Sequence, residues 1–177
     1  MRPALAWCGV GLLLIVLEGV LTHGLSARYV PDFSLLATIA AALAFPPGRG
    51  MILAVVFGLG TDMLSGSLLG QVALLRLLEF GLARSLAGQL DLRRGVPAAV
   101  FAATLVVIDS LGLVGLSRLF LGEFPVAWSE LAGLAPRALL TGAFAPFVLR
   151  LALRLGDALS ESDARREMRI ETRRPVL

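Results

Sequence analysis

"GLGTDMLSGSLLG", Gly58 to Gly70, lies in a very apolar chain, yet it holds an aspartate and a Ser-Gly-Ser break, which bilayer-spanning helices avoid. Just before and within it, Gly50, Ala54, Gly58 and Asp62 are spaced by four and so share one helical face. Small residues in that register let a neighbouring backbone come close, which is how membrane helices associate where water supplies no drive. "SGSLLG" then turns the chain. Gly66 tolerates a positive φ, Ser65 or Ser67 can cap the next helix by accepting from its free amides, and Gly66 with Gly70 forms another small-residue pair. The stretch reads either as a tight, well-packed hairpin or as a surface built for one specific partner.

The composition sets the class. Of 177 residues, 57% are hydrophobic and 16% charged, against about a quarter charged in a soluble domain. Apolar runs of membrane-helix length recur. The chain has no lysine, and its arginines cluster at the ends of those runs. A pI near 10.4 therefore points to the positive-inside rule, not to nucleic acid, for which no basic stripe interleaved with aromatics exists. The single cysteine, Cys8, excludes an internal disulfide and reads as a small apolar helix residue. "MRPALAWCGVGLLLIVLEGVL" is too long for a signal-peptide core and reads as a retained first helix.

The chain is expected to be all-α, a six-helix transmembrane bundle. The spans run from about Pro3 to Leu21, Phe33 to Phe45, Met51 to Leu64, Leu69 to Leu90, Val96 to Leu121, and from the region of Trp128 to Leu155. "PPGRG" breaks the chain between the second and third, and Trp128 is an expected interfacial aromatic. Residues 1–155 form the membrane domain and 156–177 a charged cytoplasmic tail, solvated or folded as a short surface helix. Arg2, Arg49, Arg93, Arg94 and the arginines from Arg150 onward fall on one side, with only Arg28 and Arg118 on the other. Both termini are thus expected in the cytoplasm.

Charges within the spans carry the second argument. At about 1.5 Å per residue, Glu18, Asp62 and Asp109 lie roughly 18–22 Å up their helices. Arg76 and Glu79 lie below the outer start of the fourth span. In a core about 30 Å thick, these groups share the outer half. Arg137 joins them if the sixth helix starts near Ser129, and lies at the interface if Pro136 occupies its first turn. Intramembrane charges rarely face lipid, so an internal cluster centred on Arg76 is expected, with Asp62 or Asp109 as its partner. It reads as a structural salt-bridge network, as a polar groove for a ligand or a partner's helix, or as a proton or ion path.

Catalysis is not expected. His23, the only histidine, is placed in a short outer loop, and no nucleophile elbow, zinc-binding helix motif or phosphate loop occurs. No cofactor or metal site is expected either.

The segment "PDFSLLATIAALAF", the break "PPGRG", and "GLGTDMLSGSLLGQVAL", in this order, resemble the rod shape-determining protein MreD family. The likeness is densest from Pro31 to Leu90. A carboxylate in the fifth span, Asp109, and the proline of "APFVLRL", Pro146, extend it across the chain. Thr141 stands where many relatives carry asparagine. The resemblance implies a non-catalytic scaffold in the bacterial inner membrane. It would bind MreC and, directly or through it, MreB, RodA and a class B transpeptidase, supporting lateral peptidoglycan synthesis and rod shape. It also implies a fold similar to the six-helix substrate-binding components of energy-coupling-factor transporters. The alternative is therefore a vitamin-type small-molecule carrier subunit, which should offer aromatic and polar side chains converging on one outer pocket.

Overall fold

The computed structural model describes residues 2–66, 68–90, 95–121 and 128–171, with side chains from Ala4 to Arg154 except at 67, 91–94 and 120–132. Ser67, Arg93, Arg94 and the side chains of Arg2, Trp128 and the tail lie outside the described residues. Within them the chain is all-helical: α1 (Arg2–Gly24), a 3-10 turn (Ala27–Tyr29), α2 (Phe33–Ala44), α3 (Pro47–Ser65), α4 (Gln71–Leu86), α5 (Gly95–Leu121) and α6 (Trp128–Glu171).

Four of these helices are long and apolar enough to cross a membrane, over Ala4–Gly24, Pro47–Ser65, Gly95–Leu119 and Gly133–Arg154. Their outward faces carry exposed Leu13, Val20, Ile52, Val96 and Leu139, as lipid contact requires. α2 and α4 differ. With 12 and 16 residues they reach about 18 and 24 Å, short of the roughly 20 residues that a full span takes. α2 is also surrounded: it packs on α1, α3, α4, α5 and α6, and its residues from Phe33 to Ala42 are all buried. It is the core of the bundle, a helix apolar all round because it faces protein all round.

Several boundaries move from the sequence expectation. α3 begins at Pro47, with Pro46 as its N-cap, so "PPGRG" opens the helix instead of separating two. Proline is favoured at the first helical position, where its missing N–H would have had no partner anyway. α4 begins at Gln71 because Gly70 is left-handed, with φ 96°. His23 belongs to the last turn of α1, where Nδ1 lies 3.2 Å from the carbonyl of Gly19. α6 passes through both Pro136 and Pro146 and continues past Leu155 to Glu171. The segment after Gly156, with its run of Arg and Glu and no Gly or Pro up to Glu171, has the propensity to extend it.

Close approach joins the helices. A Cβ on Gly58 would run into the backbone of Ala73 and Val72, and one on Gly50 would meet the Phe80 ring and the Ala41 carbonyl. Ala54 is fully buried on the same face. The small-residue stripe thus packs inside the chain, on α4 and α2, and is not an open surface for another protein. Gly66 (φ 66°) and Gly70 act differently: nothing lies within 4 Å of a Cβ on either. They bend the backbone and do not pack helices.

Candidate functional site

A helix whose first turn is buried has no water to receive its first amides, so protein groups must accept from them. Both short helices meet this need with a carboxylate from the helix before. Asp62 of α3 accepts from the amides of Gly70 (2.8 Å), Val72 (3.0 Å) and Ala73 (3.3 Å), which closes the start of α4. The cap comes from the aspartate of the opening stretch, while the Ser65 hydroxyl donates to the Asp62 carbonyl on its own helix.

α2 is closed in the same way. Glu18 of α1 accepts through Oε2 from the amides of Phe33 (3.0 Å) and Ser34 (3.2 Å), and Asp32, the N-cap, accepts from Leu35 (2.8 Å). Thr141 of α6 receives the Asp32 amide at 2.9 Å. At the other end, Arg84 of α4 donates through Nη1 to the carbonyls of Ala42 (2.8 Å) and Phe45 (3.0 Å). Negative groups at the amino end and a cation at the carboxyl end both match the helix dipole.

The amino end of α2 is also where the buried arginine sits. Arg76 of α4 is 2% exposed and donates from every guanidinium nitrogen. Its Nη2 reaches both oxygens of Asp32 (3.0 and 2.9 Å), Nη1 reaches Glu79 (2.5 Å) and Asp109 of α5 (3.3 Å), and Nε reaches the Ser34 hydroxyl (3.0 Å). A second guanidinium, Arg137 of α6, joins Asp32 (3.0 Å) and Glu18 (3.3 Å) through Nη2. α6 begins well before Pro136, and the half-buried Arg137 reaches the cluster from it.

The structure therefore brings Glu18, Arg76, Glu79, Asp109 and Arg137 together around Asp32 and Ser34. Asp62 is not among the partners of Arg76, because its carboxylate is aimed at the amides of α4. Sequence reasoning missed Asp32, Ser34 and Arg84. Asp32 had a signal, since an Asp directly before an apolar helical run is an N-cap pattern. Arg84 had none, because it caps a helix other than its own. Chemically the arrangement holds charges and caps helices. No group of three or more His, Cys, Asp or Glu among the described residues has a geometry that would hold a metal ion.

Four spanning helices around a capped, buried core helix define a multi-pass helical membrane protein. The family model for rod shape-determining protein MreD matches residues 2–153, and the chain belongs to that family. This assigns it a role in rod shape determination, in a structural family and not a known enzyme family. No curated protein and no solved structure matches the chain.

Proposed function

We propose that the chain is a non-catalytic membrane scaffold of the bacterial cell-elongation complex. It binds MreC and, directly or through it, MreB, RodA and a class B transpeptidase, and so supports lateral peptidoglycan synthesis. The observation that carries this reading is that the intramembrane charges are occupied in holding α1, α2, α4, α5 and α6 to one another. They fix a shape and leave no nucleophile–base pair among the described residues. The membrane domain, residues 1–155, supplies the partner surface. The tail, 156–177, and both termini lie in the cytoplasm of a plasma-membrane protein.

A fold akin to the substrate-binding component of energy-coupling-factor transporters would fit six helices of which one is the buried core, and a cavity beside the ion network fits a carrier. Among the described residues that line that cavity there is no aromatic ring, which favours the scaffold. Affinity purification of the tagged chain from a rod-shaped bacterium separates the two. Recovery of MreC, with swelling of depleted cells that vitamins do not rescue, supports the scaffold. Recovery of an ATPase module, with normal shape and auxotrophy, overturns it.

A further inference from the structure

α4 and α5 are joined at one end and parted at the other. At the joined end, Gln71 of α4 donates through Nε2 to the Leu113 carbonyl (3.2 Å) and to the Ser117 hydroxyl (3.0 Å) of α5. Next to it Leu75 fills the space beside Gly112, and Arg76 reaches Asp109. Toward the other end a groove of about 340 Å³ separates Leu82 and Leu86 of α4 from Pro97, Phe101 and Ile108 of α5. It opens at the surface beside Leu82 and Ile108, both exposed. Arg76, Glu79 and Asp109 thus sit where the closed part of the seam ends.

Two features of that junction point to a bound proton. Nη1 of Arg76 carries both Glu79 (2.5 Å) and Asp109 (3.3 Å), so two carboxyl groups crowd one nitrogen. Oε1 of Glu79 is buried and has no hydrogen-bond partner among the described residues. An ionised carboxylate away from water needs donors at both oxygens. The surrounding charges do not relieve the pair. Nη2 of Arg76 holds both oxygens of Asp32 at the amino end of α2, and Arg137 of α6 is engaged by Asp32 and by Glu18 of α1. From α3 the charged group at this end is Asp62, which is turned to the amides of Val72 and Ala73. Two carboxyl groups that share one site cannot both ionise freely, and they titrate as a pair.

We infer that Glu79 and Asp109 hold one proton between them at neutral pH and form, with Arg76, a proton-dependent latch between α4 and α5. With the proton in place the pair carries a single negative charge beside the guanidinium, and the seam stays closed from Gln71 to Asp109. When the proton is released to water, two anions face one nitrogen. Their repulsion parts α5 from α4, and the groove extends toward Leu113. The proton is held more tightly in the closed form, so closure is favoured at lower pH and lost as pH rises. The inference goes beyond the scaffold reading and does not depend on MreC binding.

The test uses the full chain in lipid nanodiscs, with Cys8→Ala and nitroxide labels at Leu74→Cys of α4 and Leu111→Cys of α5, both at exposed positions. The distance between the labels should lengthen from neutral to alkaline pH and return on reversal. A control pair at Met63→Cys of α3 and Leu74→Cys of α4, also exposed, should keep its distance. Glu79→Gln and Asp109→Asn keep the shape without the charge, so each should hold the α4–α5 distance at its neutral-pH value under alkaline conditions. Infrared spectra give a second readout. The protonated-carboxyl band at neutral pH should weaken in Glu79→Gln and in Asp109→Asn alike, because removing one group lets the other ionise beside Arg76. A band lost in only one of the two variants places the proton on a single residue and overturns the sharing. An α4–α5 distance that does not change with pH, or changes equally in the amide variants or in the control pair, overturns the latch.

Discussion

Asp62 Oδ1 accepts the backbone amide of Val72 at 3.0 Å, so the carboxylate that ends the small-residue stripe of α3 is the cap of α4. The aspartate and the Ser-Gly-Ser break serve one purpose. The break lets α4 begin below the end of α3, and the aspartate receives the amides that this start leaves without water.

Asp62→Ala should therefore destabilise the α3–α4 pair by about 1–2 kcal/mol, the usual value of a helix cap. Asp62→Asn, which keeps an acceptor, should cost less. Thermal unfolding of the purified protein checks the order. Hydrogen exchange should quicken at residues 70–73 in the alanine variant and stay unchanged in α6. Uniform quickening would mean that Asp62 acts on the whole fold and not as a local cap.

Gly58 tests the close approach. Even Gly58→Ala should lower accumulation in the membrane, because its Cβ would run into Ala73 backbone, which cannot swing aside as a side chain can. Gly58→Leu should be worse. Gly81→Ala, with nothing within 4 Å of the added Cβ, should be neutral or slightly stabilising. Normal levels of Gly58→Leu would place α3 and α4 farther apart than described.

Arg84→Leu removes the cation from the carboxyl end of α2 and leaves the carbonyls of Ala42 and Phe45 without their donor. A loss of about 1–3 kcal/mol is expected for buried unsatisfied acceptors. Arg84→Lys should recover part of it, since one ammonium still reaches that end. Equal loss in both variants would point to the planar shape of the guanidinium as the requirement.

Much of this architecture is legible in the chain itself. Apolar runs and their Pro and Gly boundaries place the helices, and depth along each helix puts Glu18, Arg76, Glu79 and Asp109 at one level. Depth says nothing of direction around a helix axis, so it could not tell that Arg76 turns to Asp32 and Asp109 while Asp62 turns to the amides of α4. Nor could a mostly apolar run of twelve residues announce itself as the core. A helix buried on every side has no amphipathic pattern, and in sequence it looks like a short span facing lipid. The α3 start was missed for a local reason, proline's fitness at the first helical position.

The central claim is that paired buried charges hold the short core helix in place. It is tested most directly by a double-mutant cycle on Arg76 and Asp32, read by unfolding of the purified protein. Arg76→Leu and Asp32→Leu should each cost about 3–5 kcal/mol, because each leaves an uncompensated buried charge. The double variant should cost clearly less than their sum. The parallel cycle of Arg76 with Asp62 should be close to additive. Additive costs for Arg76 and Asp32, or single variants as stable as the parent, would contradict the account.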